Sequence, residues 1–139
     1  MNYQTVLSKA TKILKGQLIK NPKLDCEILL SNALKIEREK LLINLNQEIN
    51  EKDLNNFNNL IDRRKRKEPI AYIIGYKEFW KKKFKVNTNV LIPRPDTEHL
   101  VEEALKLIPN SSSLNILDIG TGSGCIILSI LCERNKCYG

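Results

Sequence analysis

Glycine is missing from the whole stretch between Gly16 and Gly75. Sharp reversals that need a left-handed residue are therefore disfavoured there, and the first half reads as helices joined by short caps. No CxxC pair occurs among Cys26, Cys125, Cys132 and Cys137, and the single His99 has no ligand partner nearby in sequence. That argues against a zinc site and points to reduced, mostly buried cytosolic thiols. Unbroken apolar stretches extend only a few residues, as in Cys125-Ile126-Ile127-Leu128, too short to cross a bilayer. The start, Met1-Asn2-Tyr3-Gln4-Thr5, lacks the cationic and apolar segments of a secretory signal. No internal repeat or low-complexity tract is visible. With 42% apolar and 28% charged residues, general disorder is excluded as well.

What is present is basic. The formal net charge is +7 at pH 7, which allows a nucleic-acid or ribosomal partner but speaks to association rather than to fold. The basic run Arg63-Arg64-Lys65-Arg66-Lys67 and the lysines at 81, 82, 83 and 85 carry much of it. They fit a nucleic-acid contact or a solvated helix end and hairpin tip equally well.

The helical signal is strong up to about residue 67. Val6, Leu7, Ala10, Ile13, Leu14 and Leu18 recur at helical spacing. Asn21-Pro22 starts a second helix carrying Ile28, Leu29, Leu30, Ala33 and Leu34. Leu41, Leu42 and Leu45 suggest a short third, and Asn50 caps a fourth lined by Leu54, Phe57, Leu60 and Ile61. Pro69 ends the run. Beyond it, Ile70 to Gly75 reads as a short turn or helix. Glu78-Phe79-Trp80 and Phe84-Lys85-Val86 read as a hairpin around a lysine turn. Val90-Leu91-Ile92 leads into Pro93-Arg94-Pro95, after which Asp96 or Thr97 caps a helix with Leu100, Val101, Ala104, Leu105 and Ile108. Asn115 to Ile119 reads as a buried strand, and Cys125 to Leu131 as an apolar helix.

Between those last two elements lies Leu117-Asp118-Ile119-Gly120-Thr121-Gly122-Ser123-Gly124. Glycines between a strand and a helix let the backbone turn tightly and approach a ligand beside unpaired helix N–H groups. The spacing is Gly-x-Gly-x-Gly with Asp118 upstream. Cys125 stands where a dinucleotide fingerprint needs its third glycine. No Gly-Lys-Ser/Thr follows, so a phosphate loop is excluded. The pattern is similar to the first motif of class I methyltransferases, which bind S-adenosylmethionine there. A structural glycine turn is the plain alternative.

A second group of residues narrows the resemblance. Pro69-Ile70-Ala71-Tyr72-Ile73-Ile74-Gly75, Glu78-Phe79-Trp80 and Val90-Leu91-Ile92-Pro93-Arg94-Pro95-Asp96-Thr97-Glu98, followed by the glycine loop, resemble the release factor glutamine methyltransferases. Lys81 departs from the pattern, since relatives often carry glycine after Phe-Trp. The resemblance implies an α plus α/β fold in three parts. Residues 1–67 form a small helical substrate-recognition bundle, 68–95 a linker with a β-hairpin, and 96–139 the truncated start of a Rossmann-like methyltransferase domain. It implies S-adenosylmethionine as cofactor, with Asp118, Gly120, Thr121, Gly122, Ser123 and Gly124 at the cofactor and Phe79, Arg94, Pro95 and Thr97 bordering it. It further implies a class I peptide chain release factor as partner, methylated on a glutamine side-chain amide, and a cytoplasmic monomer without membrane or metal.

The same resemblance implies that the catalytic Asn-Pro-Pro-Tyr motif lies beyond Gly139. Leu114 to Gly139 is shorter than the roughly 30 residues of a βαβ unit. The chain is accordingly expected to be part of a longer protein and inactive alone. Two other readings stay open: methylation of an exocyclic amine in RNA or DNA, which shares the motifs, and a non-enzymatic helical module that binds protein.

Overall fold

A computed structural model describes the chain from Met1 to Gly139 and divides it into two compact units, Met1–Ile74 and Gly75–Gly139. The chain is helical, with one two-stranded antiparallel sheet.

The first unit contains α1 (Tyr3–Gly16), α2 (Pro22–Leu34), α3 (Arg38–Ile43), α4 (Glu51–Lys65) and α5 (Ile70–Ile74). Two helices start on side-chain caps. Asn2 Oδ1 accepts from Thr5 N at 2.9 Å, and Asn50 Oδ1 accepts from Asp53 N at 2.8 Å. Asn21 makes no such bond; Pro22 at the first position of α2 presets the backbone there instead. In place of glycine, Leu18 and Lys35 take left-handed φ of 57° and 54° to end the first two helices.

Packed against α1, α3, α4 and α5, α2 is the centre of this unit. Cys26, Leu29 and Leu30 are completely buried, and Leu14, Leu41, Phe57 and Ile61 close around them. Ile73 of α5 joins the same core. Burial on several sides also takes two carboxylates of α2 out of water, Asp25 at 8% exposure and Glu27 at 3%. Both are paired, because an unpaired buried charge costs several kcal/mol. Arg64 Nε donates to Asp25 Oδ2 at 2.7 Å, and Arg38 donates to Glu27 Oε2 from Nε and Nη2 at 2.9 and 2.6 Å. The Cys26 thiol between them is pushed up to about 11 by burial.

The basic run at the end of α4, for which the sequence left a nucleic-acid contact and a solvated helix end open, is not uniformly solvated. Arg64 faces inward to Asp25 and also donates to the Glu68 carbonyl at 3.0 Å. Arg63 pairs with the Glu68 carboxylate and reaches the Ile73 carbonyl at 3.3 Å. Both arginines fold the chain after α4 back onto the helix.

In the second unit, β1 (Tyr76–Phe79) and β2 (Lys82–Lys85) form the hairpin, with Tyr76 opposite Lys85 and Phe79 opposite Lys82. Its turn is Trp80-Lys81, one residue earlier than the lysines implied. Both turn residues have left-handed φ, 49° and 57°, as a two-residue type I′ loop requires. Phe79 and Phe84 point to one face and meet edge to face, 6.0 Å between centroids. They share a core with Val101 of α6 (Glu98–Leu107) and with Cys125 and Ile130 of α7 (Cys125–Glu133). A 3₁₀ turn, Pro95–Thr97, leads into α6. Thr97 already has helical angles and makes no side-chain cap, so the capping role expected of it is not filled. Arg134 closes the other end of α6, donating to the carbonyls of Leu105 and Ile108 at 2.7 and 2.6 Å.

The expected buried strand at 115–119 is reduced to a single parallel bridge between Asn115 and Tyr138. Ile116 N donates to Tyr138 O at 2.7 Å, and Tyr138 N to Leu114 O at 2.9 Å. Leu117 and Ile119 remain 83% and 88% exposed. A parallel strand is stable when neighbours pair its edges and helices cover both faces, and here one short neighbour is all it has.

Two measurements check this account. Glycine at position 81 removes a left-handed penalty of about 1 kcal/mol. Lys81→Gly is therefore expected to raise the melting temperature of the second unit by about 4 °C or more. The fluorescence of Trp80, the single tryptophan, reports that unit directly. The second concerns Glu68, whose carboxyl is held below the usual glutamate range by its hydrogen bond from Arg63. A depressed folded value means stability that is present above about pH 4.3 and lost as pH falls through the lower folded value. Wild type should exceed Glu68→Gln by up to about 1 kcal/mol at neutral pH, with the gap closing below about pH 4 in a series of denaturant melts.

Candidate functional site

The glycine loop is the best-defined site feature of the second unit. The chain leaves the Asn115–Tyr138 bridge, passes Asp118, turns twice and enters α7. All three loop glycines lie in the left-handed region, Gly120 at φ 79°, Gly122 at 56° and Gly124 at 76°. A Cβ at Gly120 would meet nothing within 4 Å. One at Gly122 would meet only the Gly120 carbonyl, at 3.9 Å, while one at Gly124 would press on Leu128 Cδ1 at 3.1 Å. The first two glycines thus border open space, and the third lets the loop settle on α7.

Gly124 is the N-cap of α7 and offers no side-chain bond. The first N–H groups of the helix are left without an intrahelical acceptor and present the positive end of its dipole to the loop. Thr121 is exposed and Ser123 partly so.

Asp118 sits at the edge of a cleft of about 220 Å³. The other lining residues are Leu100 and Ala104 of α6, Ile116 and Leu117 before the loop, and Ile126, Ile127 and Ile130 of α7. Asp118 Oδ2 is buried and has no hydrogen-bond partner. A buried carboxylate oxygen without a donor is costly, so the position calls for a donor that binds there. An apolar cleft with one such acceptor suits a ligand with apolar surface and a positively charged or N–H/O–H donor group.

The candidates drawn from the sequence divide in space. Asp118 lines the cleft and the Gly120–Gly124 turns follow directly on it. Phe79 does not line it. At 2% exposure its ring lies in the core with Cys125 and Ile130, where it supports α7. Arg94, Pro95 and Thr97 are also outside the lining. Arg94 and Pro95 are exposed, and the Arg94 carbonyl accepts from Thr97 N at 3.1 Å to close the turn before α6. Leu100 and Ala104 are cleft residues that helical spacing assigned only to an apolar face. Leu100 is 55% exposed beside the fully buried Val101, so the stripe is wider than the core it meets.

Comparison with known proteins gives this arrangement a family. The PrmC N-terminal domain matches residues 5–75. A release factor glutamine methyltransferase from Coxiella burnetii is 44% identical over 131 residues, covering 92% of this chain and 47% of that protein. One from Aliivibrio fischeri is 43% identical over 134 residues, covering 96% of this chain and 46% of the relative. A bifunctional methyltransferase from Rickettsia prowazekii is 42% identical over 146 residues, 92% of this chain but 28% of its own length. The chain spans about half the length of the release factor glutamine methyltransferases it matches. It belongs to the PrmC N-terminal domain family and corresponds to the amino-terminal part of the release factor glutamine methyltransferases.

Proposed function

We propose that these residues are the amino-terminal portion of an enzyme that methylates the side-chain amide nitrogen of a glutamine in class I peptide chain release factors. The second unit begins the cofactor site, and the helical first unit engages the release factor. The observation that carries the reading is the loop geometry: three left-handed glycines between Asp118 and the uncapped start of α7. The relatives' being release factor glutamine methyltransferases supports the acceptor.

The residues present fit S-adenosylmethionine. Asp118 Oδ2 is a buried acceptor without a donor, and open space lies where a Gly120 side chain would stand. Asp118 would accept from a polar group of the cofactor, and Gly120, Thr121, Gly122, Ser123 and Gly124 would shape the backbone around it. When bound, S-adenosylmethionine supplies an electrophilic methyl group. Once a ligand fills the cleft, the apolar walls from α6 and α7 would keep water from it, which would strengthen the hydrogen bonds Asp118 accepts. Arg94, between two prolines, has a restricted backbone in the approach to α6, outside the cleft lining. The setting we propose is the cytoplasm, where release factors act. By themselves these residues leave Leu117 and Ile119 uncovered, and we expect no methyl transfer from them alone.

The test uses the intact enzyme. Gly122→Val forces a β-branched residue into φ 56°, a strain of about 1–3 kcal/mol, beside the cofactor. Calorimetric titration should show S-adenosylmethionine binding weakened at least about tenfold, with a smaller loss of melting temperature. Transfer of labelled methyl to purified release factor should fall in step. Unchanged affinity, or no binding by the wild type, would remove the loop from the cofactor site.

A further inference from the structure

The hairpin has a second face that the methyl-transfer reading does not use. Pairing Tyr76 with Lys85 and Glu78 with Lys83 puts these four side chains on the face opposite Phe79 and Phe84. Lys81 at the turn and Lys82, Lys83 and Lys85 on β2 are all exposed. From Tyr76 to Lys85 there are five lysines against one glutamate. None of the five makes an ion pair within 4.0 Å. Lys83 stands directly across from Glu78, yet its ammonium lies 5.0 Å above the Tyr76 ring.

Two acids that touch the hairpin, Glu98 of α6 and Glu133 of α7, are engaged by Trp80. Glu98 Oε1 accepts from Trp80 N at 2.8 Å, and Glu133 Oε1 accepts from the Trp80 indole at 3.1 Å. These bonds, with Phe79 and Phe84 in the core, hold the ribbon in place while leaving its lysines unneutralised. Lys83 and Lys85 are two residues apart on one strand and so about 6.7 Å apart along it. The face is a short rigid row of cations beside one partly exposed aromatic ring.

We propose that this face binds the phosphate backbone of a single-stranded nucleic acid. Lys81, Lys83 and Lys85 contact phosphates, and Lys83, in swinging from the Tyr76 ring to a phosphate, frees that ring face for one base to stack on. Cations tracking a backbone next to an aromatic platform are how single strands are held without sequence readout. An acidic protein is the poorer fit, because protein interfaces are depleted in lysine and centred on buried apolar residues, which this face lacks.

The experiment is a fluorescence anisotropy titration of the chain against a labelled oligouridylate of about 12 nucleotides and its deoxy counterpart, from about 50 to 200 mM salt. Each lysine–phosphate contact adds about 0.7 to the slope of log affinity against log salt. The triple variant Lys81→Ala/Lys83→Ala/Lys85→Ala should therefore lower that slope by about 2 and weaken binding at least about tenfold at the lowest salt. Tyr76→Leu should weaken binding about fivefold with the slope unchanged. A charge-matched control, Lys12→Ala/Lys15→Ala/Lys20→Ala, should change neither. Trp80 fluorescence melts establish that the hairpin variants remain folded, and circular dichroism melts of the helical first unit do the same for the control. Tighter binding of the ribo-oligomer assigns the site to RNA, and equal binding assigns it to the shared phosphate backbone. The proposal is overturned if wild type does not bind at low salt, or if the hairpin variant keeps the wild-type slope. It is also overturned if the control variant loses as much. Displacement by a polyglutamate peptide as effective as by unlabelled oligonucleotide would assign the face to an acidic protein instead.

Discussion

Burial of Asp25 and Glu27 on α2 demands a partner for each charge, and the first unit is arranged around meeting that demand. Arg64 reaches Asp25 across 39 positions of sequence, and Arg38 reaches Glu27 from the start of α3. Because removing one partner of a buried pair leaves an uncompensated charge, these contacts tie α4 and α3 to α2 in one register. The apolar side chains between them, Leu29, Leu30, Leu41 and Phe57, supply the driving force, and the ion pairs restrict how it is satisfied.

The same demand is only partly met in the second unit, and that is where the candidate site lies. Its two buried side-chain oxygens without partners are Asp118 Oδ2 and Ser129 Oγ, one before the glycine loop and one in the helix after it. Its two most exposed apolar residues, Leu117 and Ile119, flank Asp118 in the same segment. The hairpin core of Phe79, Phe84, Val101, Cys125 and Ile130 is well packed and fixes the direction of α7. The loop is thus held firmly from one side and left open on the other, as a ligand-approach site requires. The strained Trp80-Lys81 turn belongs to the firm side, since Glu98 and Glu133 bind both N–H groups of Trp80.

Local chemistry carried much of this into the sequence. The periodic apolar positions of α1, α2 and α4 marked their helices, and Asn50 and Pro22 marked two of the starts, because helix period and capping act within one or two turns. The glycine loop was legible for the same reason: three glycines close together are costly unless the backbone needs left-handed angles, and all three adopt them. The family resemblance was visible in contiguous residues. Contacts between distant residues were not. That Arg64 is inward while Lys65 and Lys67 are solvated follows from where Asp25 lies, and no local pattern encodes it. The resemblance placed Phe79 at the border of the cofactor, and only the assembly of Phe84, Val101 and Cys125 around it shows its ring in the core.

The sequence by itself therefore determined the helices, the hairpin, the left-handed loop and the family, each through interactions spanning a few residues. Tertiary structure alone decided which charges are buried, that Leu100 and Ala104 face the cleft with Asp118, and that Glu98 and Glu133 hold the hairpin turn. It also decided the fate of the segment at 115–119. Its apolar residues read as a strand, but a strand is defined by the neighbours that accept and donate its backbone hydrogen bonds. With only Tyr138 beside it, the segment forms one bridge.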